Sequence, residues 1–149
     1  MNTFIENPRL QTAARTLLRL AFGFLFLAHG WQKFFQFTIE GTVAAFGQMG
    51  VPAAGLIAPV AATLEIVGGI AIILGLLTRV FAGLLGVQMV VALLMVHAPG
   101  GVFVENGGFE LVLALAAGAL ALFLVGPGRI SLDALFFKNK QAGKVLINA

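Results

Sequence analysis

Two histidines, a lysine and two glutamates stand inside or at the ends of long apolar runs: His29, Lys33, Glu65, His97 and Glu110. An ionised side chain at mid-helix in hydrocarbon costs roughly 2.5–3.5 kcal/mol or more, so such residues turn inward, pair and mark functional sites. Lys33 lies one helical turn beyond His29 on the same face, and Gln32 neighbours His29 at i+3. These types suit proton handling and recognition of a polar headgroup. A lysine supplies charge and donors, a carboxyl exchanges a proton, and a neutral imidazole both donates and accepts. The chain has no cysteine, which excludes disulfides, thiolate nucleophiles, iron–sulfur clusters and thiol-relay chemistry.

The surrounding chain must hold these groups in place. Its 149 residues are 60% hydrophobic and 10% charged, with a mean hydropathy of +1.02. A soluble domain carries about 25% charged residues. The apolar residues come in long blocks, which indicates an integral membrane protein. The pattern predicts an all-α antiparallel four-helix bundle in a single membrane domain, with spans at about 17–35, 54–77, 80–96 and 109–125. Between them lie a loop over 41–52, a tight turn at 77–79 and a second loop over 97–108. Pro59 falls near the start of the second span, where a helix accepts it or kinks. Basic residues before the first run raise a signal peptide. Arg15 and Arg19 fall late, and no small-x-small cleavage site follows, so the run is read as a retained helix.

Basic residues set the orientation. Arg9, Arg15, Arg19, Arg79, Arg129, Lys138, Lys140 and Lys144 all fall on one side, and Lys33 on the other. Both termini are therefore expected in the cytoplasm, in a multi-pass protein of the cell (inner) membrane. The net charge of +3 reflects this rim and implies no nucleic-acid partner. Arg19 reads as a topology anchor and Trp31 as an interface residue. Ser131 is placed to cap a short amphipathic helix in a 130–149 tail. Ala82 with Gly86, Ala114 with Gly118, and the pair Gly68–Gly69 have the spacing of close helix contacts.

Depth then brings the polar groups together. Glu65 lies about 16 Å along the second span from Ala54, near the midplane, and His29 about 18 Å along the first from Leu17. Gln88 is mid-way along the third span, His97 at its outer end, and Glu110 opens the fourth. An outer-half pocket follows, with Glu65 and His29 as catalytic groups and Lys33, His97, Glu110, Gln32 and Gln88 binding substrate. One arrangement sets Lys33 between Glu65 and Glu110. TLEIV (63–67) echoes GFELV (108–112), as two helix-pair repeats around one site would. Bland readings stand beside these: His97 and Glu110 as interfacial residues, and Lys33 snorkelling to the headgroups.

A longer succession carries more. Arg19, Gly23, His29-Gly30 and Lys33 are followed by Gly50-Val51-Pro52, Glu65-Ile66-Val67-Gly68-Gly69 and Leu74-Gly75-Leu76-Leu77-Thr78-Arg79. GGFE (107–110) and GPGRISLD (126–133) continue it. This order and spacing resembles the DoxX family of small membrane proteins over nearly the whole chain. The resemblance implies a four-helix membrane fold and a link to quinone-coupled redox chemistry, of the thiosulfate:quinone oxidoreductase type or in oxidative-stress complexes.

Two functions are expected from residues and resemblance together. One is a membrane oxidoreductase, or membrane subunit of a quinone-linked redox complex, with His29 and Lys33 donating to quinone oxygens and Glu65 relaying protons. The other is a non-catalytic carrier of small molecules, or a scaffold for peripheral stress-response enzymes. A haem ligated by His29 and His97 is the lesser alternative, and no other metal site is expected. The bilayer, peripheral redox enzymes and further copies of the chain are the partners implied.

Overall fold

The computed structural model describes residues 7–136, and its regular structure is entirely helical. Helix α1 (Pro8–Trp31) begins where the Asn7 side chain accepts the Arg9 amide at 3.0 Å, with Pro8 in the first turn. It continues as a π-helical turn, Gln32–Gln36. Then come α2 (Ile39–Gln48), α3 (Ala54–Leu74), α4 (Thr78–Ala92) and α5 (Glu110–Val125). Helix α4 also runs on into a π turn, Leu93–His97.

Among the described residues, three stretches are long and apolar enough to cross a membrane: Pro8–Gln36, Ala54–Leu74 and Thr78–Gly100. The fourth apolar helix, α5, has 16 residues, or about 24 Å at 1.5 Å per residue. Helix α1 packs against α3 and α5, and α4 packs against the same two, so four helices close a ring. Glycine lets two of them touch: a Cβ at Gly69 would lie 2.6 Å from the Leu27 amide nitrogen. The adjacent Gly68 faces Leu85 of α4, so the Gly68–Gly69 pair serves both neighbours of α3. Phe26, Ile72, Leu85, Leu115 and Leu122 fill the ring's core.

The segment 41–52, expected as a loop, holds most of helix α2. The Thr38 hydroxyl accepts the Gly41 amide at 3.2 Å and starts the helix, while Gly50, at φ 76°, follows its end. Three glycines in a short stretch imitate a loop, but Gly41 and Gly47 are helical here. Helix α2 packs on α3.

The tight α3–α4 turn is as expected, and a polar clasp closes the bundle there. Arg19, expected at the surface, is 3% exposed, and its Nη1 donates to the carbonyls of Pro127 (2.8 Å) and Ile130 (2.7 Å). These two bonds from a buried side chain tie the chain leaving α5 to α1. Asp133 accepts from the Leu77 and Thr78 amides at 2.7 and 3.0 Å and so caps α4. Ser131 caps as expected: its Oγ accepts the Ala134 amide at 3.1 Å, and residues 132–136 are helical. The rest of the expected tail, with Lys138, Lys140 and Lys144, lies outside the described residues.

Candidate functional site

At the opposite end from that clasp, the ring surrounds a cavity of about 730 Å³. That volume lies within the range of small-molecule sites, about 300–1,000 Å³. Phe26 on α1, Ala61 on α3, Met89 on α4 and Leu115 on α5 contribute apolar wall, and Thr42, Ala45, Phe46 and Met49 present one face of α2 to it. The spacing of those α2 residues, i, i+3, i+4 and i+7, is that of a single helix face.

Four helical segments deliver the polar groups. Glu65 is 2% exposed, in the middle of α3. Lys33, on the π turn, places Nζ 2.6 Å from Glu65 Oε2. From α4, Gln88 Nε2 donates to Glu65 Oε1, also at 2.6 Å. Both carboxylate oxygens are thus engaged by donors from two different helices, which is how a buried carboxylate is tolerated. The Thr42 hydroxyl bonds the Lys33 carbonyl at 2.9 Å and ties α2 to the same turn. His29 and His97 both line the cavity, and His97 Nδ1 is 2.9 Å from the Gly107 carbonyl oxygen.

Among the residues singled out from the sequence, the cavity wall brings together His29, Lys33, Glu65, Gln88 and His97. Glu110 is used elsewhere. Its Oε1 accepts the Val104 amide at 2.7 Å, within the loop before α5. Lys33 therefore does not bridge Glu65 and Glu110, and the TLEIV–GFELV echo does not produce equivalent glutamates: one is mid-helix and the other is the first residue of its helix. Gln32, the first residue of the π turn, is not on the wall. Thr42 and the α2 face are the parts of the site that sequence reading missed. The i, i+3, i+4, i+7 pattern beginning at Thr42 was the available signal. Among the described residues no group of three or more His, Cys, Asp or Glu is placed to hold a metal ion.

The DoxX family model matches residues 14–98, which carry most of α1, all of α2 to α4, and His29, Lys33, Glu65, Gln88 and His97 of the cavity wall. The chain belongs to the DoxX family. DoxX relatives extend the likeness over most of its length. A protein of Bacillus subtilis (strain 168) named "Putative oxidoreductase CatD" is 35% identical over 87% of this chain and 91% of its own. An uncharacterized membrane protein of Mycobacterium tuberculosis is 36% identical over 84% of this chain and 82% of its own. The inner membrane protein YqjF of Escherichia coli (strain K12) is 31% identical over 88% of this chain and 98% of its own. No solved structure matches. This DoxX chain is accordingly a membrane protein built of apolar helices.

Proposed function

We propose that this protein is a cell-membrane oxidoreductase, or the membrane subunit of a redox complex, that binds a quinone headgroup at Lys33, Glu65 and Gln88. The observation that carries the reading is the convergence of Lys33 and Gln88 on one buried carboxylate in the wall of an apolar cavity. A quinone ring offers an apolar face and two carbonyl acceptors. Lys33 has three N–H donors and Gln88 two, and each spends one on Glu65. The remaining donors can meet a quinone oxygen without breaking the Glu65 contacts.

Reduction of a quinone to a quinol takes up two electrons and two protons. The protons have local carriers in Lys33, Glu65 and the two cavity histidines. The electrons come from a reductant in the cavity or from a partner enzyme. The relative named an oxidoreductase supports the class of reaction. We place both termini in the cytoplasm, since Arg9, Arg15 and Arg79 and Arg129 gather at the end away from the cavity. The cavity then belongs to the outer half of the membrane.

The test is quinone binding and turnover by the purified protein in nanodiscs. Decylubiquinone should bind saturably, and Lys33→Met and Gln88→Leu should each weaken it about tenfold or more. A wild-type protein that binds no quinone sinks the proposal. One that binds quinone but reduces it with none of the reductants or partner enzymes offered is a carrier instead.

A further inference from the structure

Helices α3 and α4 are joined by the shortest connection between helices of the ring, yet they do not stay together along their length. Near the turn they touch: a Cβ on Gly68 would lie 2.8 Å from Leu85 Cδ1. One turn further on, the gap is wide enough to need two long side chains, Glu65 and Gln88, meeting end to end. Beyond that point the cavity itself lies between them, lined by Ile57 of α3 and by Val91 and Met95 of the α4 side. The two helices form a V with its apex at the turn.

The open end of the V is exposed. Ile57, Val91 and Met95 line the cavity and are also 38%, 47% and 49% exposed. Met49, at the end of α2, joins the same rim and is 52% exposed. By contrast Glu65, Met89 and Leu115, deeper in the same cavity, are buried. All three α3 and α4 rim residues fall within stretches apolar enough to span a membrane. An apolar rim on helices that cross a bilayer meets lipid hydrocarbon rather than water.

The geometry points to a lateral portal between α3 and α4, through which the site takes an amphiphile from the bilayer, headgroup first, and keeps its aliphatic tail between Ile57, Val91 and Met95. The inference rests on the proposed headgroup site and adds the class of its ligand: tailed, membrane-dissolved molecules rather than water-soluble ones. Each part of the slot matches a part of such a ligand. The polar atoms are at the deep end, the rim is aliphatic, and tail burial adds affinity in proportion to the methylenes covered. Two of the four rim residues are methionines, whose unbranched thioether chains adapt to a tail of varying shape. A ligand arriving this way never crosses the loop that Glu110 and His97 hold together.

The chain has no cysteine, so single nitroxide labels are unambiguous. Labels at Ile57→Cys and Met95→Cys, in nanodiscs, should collide more often with dissolved oxygen than with a water-soluble nickel chelate. The reverse order means that the rim opens to water and overturns the portal; this arm needs no quinone. Adding decylubiquinone should then cut oxygen collisions at both labels and leave a label at Leu113→Cys, exposed on α5 and off the cavity wall, unchanged. Equal protection at all three labels overturns the proposal. A second arm compares tails. Val91→Trp, which narrows the portal, should weaken decylubiquinone about tenfold or more and tail-less duroquinone by less than about twofold. Equal loss of both, or of neither, overturns it. If the wild type binds neither quinone, the headgroup reading fails on its own, and the oxygen-against-nickel result still decides the portal.

Discussion

Lys33 and Glu65 come from separate helices, 32 positions apart in sequence, and meet at 2.6 Å in the wall of an apolar cavity. Their environments are unequal, with side-chain exposures of 19% and 2%. The lysine reaches the cavity and the carboxylate is enclosed, so the pair presents donors to a ligand and hides its acceptors.

Breaking this pair from one side leaves a charge without its partner. Lys33→Met should destabilise the fold by about 3–5 kcal/mol, as for other buried pairs cut on one side. The double variant Lys33→Met/Glu65→Leu should cost clearly less than the sum of its two single changes. Unfolding by SDS in mixed micelles measures all four proteins. Strict additivity would mean that the two side chains do not interact.

The α1–α3 contact depends on the absence of a side chain. Gly69→Ala puts a Cβ against α1 backbone, where nothing flexible can yield, and should cost about 1–3 kcal/mol. Gly55→Ala, on the same helix, has nothing within 4 Å of the new Cβ and should gain up to about 1 kcal/mol from helix propensity. The same denaturation assay compares them. An equal response to both substitutions would deny the close approach.

The clasp at the Arg19 end predicts a different signature. Arg19→Met removes charged donors from the carbonyls of Pro127 and Ile130 and should cost about 3 kcal/mol. Asp133→Ala, which uncaps α4, should cost about 1 kcal/mol. Hydrogen exchange localises the effects: faster at 127–136 for the first change, and at the Leu77 and Thr78 amides for the second. Uniform loosening across the bundle would contradict both assignments.

Composition alone revealed the membrane class and the four apolar helices, because long apolar blocks have few alternative uses. Glu65 and Lys33 were legible too, since charge placed among apolar residues demands a partner. Helix α2 was not. Its three glycines read as a loop and mask the short i, i+3, i+4, i+7 pattern of Thr42, Ala45, Phe46 and Met49. Arg19 reads as an anchor in the sequence because surface anchors and buried clamps share one signature, an arginine at the start of an apolar run; the helix itself begins eleven residues earlier, at Pro8. The π turns that carry Lys33 and His97 leave no mark in residue type, and they shift the register on which i,i+4 reasoning relies.

The two glutamates of the apolar region now separate into different roles, and one experiment distinguishes them. Glu110 holds the Val104 amide and stays off the cavity wall. Glu110→Leu should therefore speed hydrogen exchange around Val104 while leaving decylubiquinone affinity within about twofold of wild type. Glu65→Gln keeps an oxygen for Lys33 or Gln88 but gives up the charge that orients both, and should weaken binding about tenfold with little change in exchange around Val104. If Glu110→Leu impairs binding as much as Glu65→Gln, the loop that Glu110 holds, which meets the cavity wall at Val104 and Gly108, sets the geometry of the headgroup site as well.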